Sequence, residues 1–149
     1  VGAWAPKPEQ IATAELLKQD GVVDGIIARH CAMIGERVKA LASGFAAMRE
    51  EGYPVDVIPS EGALYLTVKI DLQGKRLPDG TTLGDAEDVT FFLIRGAKLG
   101  LVPFFAFGAG RDHPWFRVSV GTLRMEEIPA VFENLRKSLA PFMMKPGEE

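Results

Sequence analysis

The sequence contains few residues that form disulfides or bind metals. It has one cysteine, Cys31, and two histidines among 149 residues. A single cysteine excludes an internal disulfide and is typical of a reducing, cytoplasmic setting. Two distant histidines do not make a zinc pattern with one cysteine. Because neighbours on a helix diverge by about 100°, adjacent His30 and Cys31 do not predict a catalytic pair.

The sequence also lacks a basic excess and any long apolar run. Its formal net charge is −3, which argues against a nucleic-acid-binding surface. No apolar stretch approaches the roughly 20 residues of a membrane-spanning helix, and no secretory signal is visible at the start. The chain begins at Val1 rather than Met and reads like the interior of a longer protein. Its length and 47% hydrophobic content suit one globular domain with its own core.

Two helices are predicted before the first strand. Pro8 and Glu9 open a short one, because proline and acids favour a helix N-terminus, and Gly21 ends it. A much longer helix is predicted from about Val22 to Glu51, where Gly52 and Pro54 stop it. Its apolar residues recur at helical spacing and are Val23, Ile27, Ile34, Val38, Leu41, Phe45 and Met48. A helix of this length runs along a domain or connects two domains.

The rest of the chain alternates between strands and helices. Strands are predicted at residues 55–58, 63–70, 101–103 and 115–121, and helices at about 85–99 and 125–142. Loops are predicted at 71–84 and 104–110, and a turn at 111–114. This order predicts a two-layer α+β domain, with a small mixed or antiparallel sheet covered by helices on one face. The other face would meet water or a partner domain. The tail at residues 145–149 is polar and is expected to fray.

Arg117 is the strongest candidate for a functional side chain. In the strand 115–121, Phe116, Val118 and Val120 share one face, so Arg117 projects from the opposite face beside Trp115. A guanidinium held on a rigid strand suits a carboxylate, which it binds through two parallel hydrogen bonds. The alternative is a cross-strand salt bridge on a solvated face, and the alternating pattern by itself favours that alternative.

Four segments, in order, resemble the C-terminal part of class I/II aminotransferases among the fold-type-I pyridoxal-phosphate enzymes. They are Gly-Ala-Trp-Ala-Pro-Lys-Pro-Glu-Gln (2–10), Pro-Ser-Glu-Gly-Ala-Leu-Tyr-Leu (59–66), Leu-Val-Pro-Phe-Phe-Ala-Phe-Gly (101–108) and Trp-Phe-Arg-Val-Ser-Val (115–120). Each piece is only moderately specific, and their order and spacing carry the resemblance over nearly the whole chain.

The resemblance implies roles for particular residues. In that family the arginine of the last strand binds the substrate α-carboxylate, which makes Arg117 the expected carboxylate anchor. The Val-Pro-x-x-x-Phe-Gly loop lies near the substrate entrance, so Phe107 and Gly108 are further candidates. Tyr65 is another, with an ordinary sheet aromatic as its favoured alternative. Trp4 either lies in a dimer interface of the complete enzyme or is simply an exposed aromatic residue.

The resemblance also implies a division of the chain and a cofactor. Residues 1–20 would be a remnant of the large domain and interdomain segment, and residues 21–149 the small C-terminal domain. The cofactor would be pyridoxal 5'-phosphate, bound in the complete homodimeric enzyme by residues outside this chain. No lysine here has the setting of the family's cofactor lysine, so we expect no catalytic residue in this chain and no transamination by it alone.

Three functions remain open from the sequence. The first is transamination between an amino acid and a 2-oxo acid by the complete enzyme. The second keeps the fold but changes the reaction to a lyase or decarboxylase, since such enzymes also bind an amino-acid carboxylate. The third is a stand-alone α+β ligand-binding or dimerisation module.

Overall fold

A computed structural model describes residues 4–143 of the chain. The chain divides into two compact units, Val1–Gly35 and Glu36–Glu149. The predicted fraying of residues 145–149 lies outside the described residues, as do residues 2 and 3 of the first resembling segment. No helix within residues 4–143 combines the length and the apolar character that a membrane span requires.

The first unit is helical. Helix α1 (Lys7–Leu17) has Pro8 and Glu9 in its first turn, as predicted, but it ends at Leu17 rather than at Gly21. Helix α2 (Val22–Glu50) starts after Gly21, which has a positive φ of 73°, and only its residues up to Gly35 belong to this unit. None of the described residues of this unit is buried. Residues 4–35 therefore form no hydrophobic core of their own.

The second unit contains a four-stranded antiparallel sheet in the order β1-β2-β4-β3. The strands are β1 (Val55–Ile58), β2 (Tyr65–Ile70), β3 (Val102–Pro103) and β4 (Trp115–Ser119). Strand β4 lies between β2 and β3, with Arg117 opposite Thr67 on one side and Val102 on the other. The position of Arg117 is therefore fixed from both sides.

Helices α3 (Ala86–Gly96) and α4 (Ile128–Leu139), with the C-terminal part of α2, supply the helical layer. Asp85 caps α3, because its carboxylate accepts hydrogen bonds from the backbone N–H groups of Glu87 and Asp88. Pro129 falls in the first turn of α4, where its missing N–H does least harm.

The core lies between the sheet and these helices. The buried side chains of β2 are Leu66, Val68 and Ile70, and those of β4 are Phe116 and Val118. The buried side chains of the helices are Val38, Leu41, Phe45, Met48, Ala86, Val89, Leu93, Ile128, Phe132, Leu135 and Leu139. Burial along each long strand alternates, which confirms the predicted α+β architecture and its single covered sheet face.

Other details also differ from the sequence prediction. The apolar stripe of α2 is buried only from Val38 onward, and Ile27 is 53% exposed, because residues 4–35 form no core to receive it. Strand β2 starts at Tyr65 rather than residue 63, since Ala63 has a left-handed φ of 59°. The loop predicted at 104–110 begins with a 3-10 turn, Phe104–Phe107, which we call the aromatic turn.

Candidate functional site

The uncovered face of the sheet carries the predicted candidates. Side chains of β2 and β4 that alternate away from the core are Tyr65, Thr67, Lys69, Trp115, Arg117 and Ser119, and each is half-buried or exposed. Strand pairing sets Tyr65 opposite Ser119 and Thr67 opposite Arg117. The period-two alternation of β4 therefore predicted the position of Arg117 and Trp115 on this face correctly.

Two aromatic rings contact the Arg117 guanidinium. Its Cζ lies 4.3 Å from the ring centre of Tyr65 and 4.6 Å from that of Phe107. Tyr65 comes from the neighbouring strand, and Phe107 comes from the aromatic turn that follows β3. Both distances are within the range of a cation–π interaction. The structure thus brings together three residues that the sequence proposed separately.

Arg117 has no carboxylate partner among residues 4–143. Within the same part of the chain its side chain also donates no hydrogen bond, although the strand half-buries it. The cross-strand salt bridge that was the alternative for Arg117 does not form between described residues. The guanidinium therefore keeps its N–H donors available to an external oxygen ligand.

Arg111, which lies between the aromatic turn and β4, differs from Arg117 in its partners. Its Cζ lies 4.7 Å from the ring centre of Phe105, but its Nη1 also lies 3.0 Å from an Asp85 carboxylate oxygen and 2.9 Å from one of Glu87. These two hydrogen bonds, the one to Glu87 first, raise the pKa of Arg111 above its usual value. The charge of Arg111 is therefore already paired with two carboxylates, whereas Arg117 has no such partner in the described part of the chain.

Gly108 ends the aromatic turn. Its φ of 95° and ψ of 4° are left-handed, a conformation that glycine adopts without steric cost. Its N–H donates to the carbonyl of Phe105 at 3.1 Å, and the next N–H donates to that of Phe104 at 3.2 Å. Gly108 thus contributes through its backbone, by closing the turn that carries Phe107.

Sequence reasoning missed the residues that support this arrangement. The ring of His113 stacks on Phe104, with ring centres 5.8 Å apart and planes 7° apart, although the sequence indicated only a turn there. Arg111 was likewise assigned only to a turn. Its partners lie 24 and 26 positions earlier in the chain, so no local signal could have identified them. Trp4, in the other unit, is 87% exposed.

Three lysines among residues 4–143 form ion pairs with carboxylates. The lysine on the Arg117 face is Lys69, and its ammonium is 2.8 Å from the Asp71 carboxylate. The ammonium groups of Lys18 and Lys137 pair with Glu15 and Glu133. A lysine that forms an imine with a carbonyl uses its amine nitrogen, and in these three lysines that nitrogen is already paired with a carboxylate.

The curated proteins that match this chain share one description. No family model matches the chain. A probable aspartate/prephenate aminotransferase of Rickettsia conorii is 35% identical over 80 residues, which are 53% of this chain and 19% of that protein. A protein of the same description from Rickettsia felis is 31% identical over 86 residues, 57% of this chain and 20% of that protein. The matches thus span about a fifth of the length of these relatives.

The solved structures that match this chain include aminotransferases as well. The aspartate aminotransferase of Rhizobium meliloti matches 72% of this chain and 25% of its own, with a TM-score of 0.60 and 25% identity. The aromatic aminotransferase of Pyrococcus horikoshii shares the fold over 89% of this chain and 31% of its own, with a TM-score of 0.66 and 20% identity. The resemblance predicted from the ordered motifs is thereby confirmed: this chain is similar, in sequence and in fold, to part of a fold-type-I aminotransferase.

Proposed function

We propose that this chain is the substrate-carboxylate-binding C-terminal domain of a pyridoxal-phosphate-dependent aminotransferase. The complete protein would transfer an amino group between an amino acid and a 2-oxo acid. Arg117 would hold the α-carboxylate of either substrate. The observation that carries this proposal is the Arg117 guanidinium, which contacts two aromatic rings on the uncovered sheet face and has no carboxylate partner among residues 4–143.

The surroundings of Arg117 favour an anionic ligand. A half-buried cation has lost part of its hydration, and the rings of Tyr65 and Phe107 restore only some of that stabilisation. A carboxylate that accepts two parallel hydrogen bonds from the guanidinium would supply the rest. Each such charge-assisted bond contributes roughly 1.5–3 kcal/mol.

The role of Arg117 in this proposal is to orient the substrate. Pyridoxal phosphate supplies the electron sink when it is bound by the rest of the protein. Fixing the carboxylate on a strand that pairs on both sides limits the positions open to the neighbouring carbon atom. Since no lysine of this sequence has the setting of the family's cofactor lysine, we expect this chain alone to be inactive.

The proposal extends to the organisation of the complete protein. Residues 21–149 would form the small domain, and residues 1–20 would belong to the segment that joins it to a large domain. Trp4, exposed in this chain, would lie in the interface of a cytoplasmic homodimer. Sedimentation of the complete protein with Trp4→Ala tests the interface, because a wild-type dimer that is unaffected by the change would contradict that placement.

Binding of a 2-oxo acid to this chain tests the central claim. The probe is 2-oxoglutarate, titrated at millimolar concentration while the arginine Nε–Hε signals are followed by NMR. We expect the Arg117 signal to shift and saturate. Arg117→Lys removes the two-pronged geometry, and the loss of one charge-assisted bond corresponds to about a 10- to 150-fold weaker affinity.

Arg111→Lys is the matched control. Arg111 also lies over a phenylalanine of the aromatic turn, but its charge is already engaged by Asp85 and Glu87. Its replacement should leave the 2-oxoglutarate affinity within about two-fold. An unchanged affinity in Arg117→Lys would mean that positive charge alone, rather than the Arg117 guanidinium, attracts the ligand, and equal losses in the two variants would mean that the ligand does not bind specifically at Arg117. In the complete enzyme, Arg117→Lys should lower kcat/KM strongly, and unchanged kinetics would rule out the assignment.

A further inference from the structure

Each ring of the aromatic turn is contacted by a different side chain from the segment that follows it. Phe104 stacks on His113, Phe105 lies under Arg111, and Phe107 contacts Arg117. Phe104 and Phe107 also touch edge to face, with ring centres 6.1 Å apart and planes at 88°. A continuous set of ring contacts therefore runs from His113 through Phe104 and Phe107 to the Arg117 guanidinium.

The backbone of the aromatic turn has little to hold it by itself. The turn has four residues, and two hydrogen bonds from the following N–H groups to Phe104 and Phe105 close it. Phe107 is 56% exposed, so burial alone does not fix its ring. The side-chain contacts of Phe104 and Phe105 must therefore determine where the turn places Phe107.

His113 is well placed to supply one of these contacts. Its N–H donates to the carbonyl of Gly110 at 3.2 Å, and its own carbonyl accepts from Nε2 of Gln73 at 3.4 Å. The next carbonyl, of Pro114, accepts from the N–H of Ile70 at 2.9 Å. The imidazole is thus attached to the start of β4, the strand that carries Arg117.

Hydrogen bonding by Nδ1 does not explain why a histidine occupies position 113. Nδ1 of His113 is buried and has no hydrogen-bond partner among residues 4–143, and the same is true of Oε1 of Gln73. A buried polar atom without a partner destabilises the fold. The favourable contribution of His113 therefore comes from its flat ring, which lies parallel to Phe104.

We propose that His113 is a positioning residue for the carboxylate site: by stacking on Phe104, its ring holds Phe107 against Arg117. This inference rests on the proposed function only where it concerns carboxylate binding. The contact between Phe107 and Arg117 can be measured in the free protein. The two parts can therefore fail separately.

The experiment compares His113→Ala with His113→Phe in this chain, with folding checked by circular dichroism. The NMR signal of the Arg117 Nε–Hε group senses the rings beside it. In His113→Ala this signal should move toward that of a solvent-exposed arginine, and the affinity for 2-oxoglutarate should fall about two- to five-fold, as expected for the loss of one ring–cation contact. His113→Phe keeps a flat ring without Nδ1, and should retain both the signal and the affinity of the wild type.

Several outcomes would overturn the inference. An unmoved Arg117 signal in folded His113→Ala would show that the stack does not position Phe107. A folded His113→Phe that behaves like His113→Ala would show that the flat ring is not the operative feature. If His113→Ala fails to fold, Phe104→Leu removes the same stack from the other side, and an unmoved Arg117 signal in that variant refutes the inference. If the Arg117 signal of the wild type does not shift when 2-oxoglutarate is added, carboxylate binding is refuted. The spectra of the ligand-free variants still decide whether His113 positions Phe107.

Discussion

Gly44 provides a quantitative test of how helix α2 packs on the rest of the second unit. A methyl group at this position would overlap the ring of Phe132, whose Cε1, Cε2 and Cζ would all lie closer than 3.0 Å, with Cε1 at 2.7 Å. The Phe132 ring has little room to move, because it is 6% exposed and packs edge-on against Phe45 with ring centres 5.3 Å apart. Gly44→Ala therefore forces either the ring or α2 to shift.

The expected magnitude follows from two opposing effects. Overpacking a well-filled core costs about 1–3 kcal/mol, whereas alanine is favoured over glycine in a helix interior by about 1 kcal/mol. Because three ring carbons clash, we place the cost in the upper half of its range and expect a net loss of about 1–2 kcal/mol. In a unit of this size that corresponds to a melting temperature lower by about 4–12 °C.

Urea denaturation followed by circular dichroism measures this effect. Gly35→Ala is the matched control on the same helix, since a methyl group there would meet no atom within 4 Å. The control should be neutral or more stable by up to about 1 kcal/mol. Phe132→Leu combined with Gly44→Ala should recover part of the loss caused by Gly44→Ala. Equal stability of Gly44→Ala and Gly35→Ala would refute the described packing.

Three further predictions concern the cap, the turn and the cofactor. Asp85→Ala should destabilise the second unit by about 1 kcal/mol at pH 7. Hydrogen bonding from the Asp88 N–H, and then from Arg111, lowers the pKa of Asp85 from 3.8, so its contribution is complete above pH 3.8 and is lost as pH falls through the lowered value. Urea titrations at pH 7 and pH 3 should therefore show a smaller difference between wild type and variant in acid. Gly108→Ala places a side chain at a φ of 95°, and should weaken 2-oxoglutarate binding in the NMR titration; unchanged affinity would mean that the turn tolerates another conformation. Pyridoxal phosphate added to the chain alone should give no saturable absorption change, and saturation at one equivalent would contradict the proposed division of the site.

The sequence predicted the parts of this fold that depend on local periodicity. Alternation in β4 placed Arg117 opposite the core, and glycine and proline after Glu51 marked the end of α2. It could not predict that β4 pairs between β2 and β3, because strand order depends on contacts distant in the sequence. It therefore named Tyr65 and Phe107 only through family resemblance, and the fold was needed to place both rings against Arg117.

The prediction for the first half of α2 failed for a related reason. Periodicity shows which residues share a helix face, but not whether another element covers that face. Val38 and Ile27 belong to the same stripe, yet Val38 is 9% exposed and Ile27 is 53% exposed. Only the part of the stripe within the second unit has a core to join.

The interior position of β4 should give the two halves of the proposed carboxylate site different resistance to local opening. The backbone of Arg117 lies between two strands, so its amide should exchange with solvent only in rare, large openings of the sheet. Phe107 lies on a short turn closed by two hydrogen bonds, and local fluctuations should release it far more often. In the proposed site, the strand that carries the Arg117 charge should therefore open rarely, whereas the turn that carries the Phe107 ring should open often. A ligand could then enter or leave when the turn opens, while the strand stays paired.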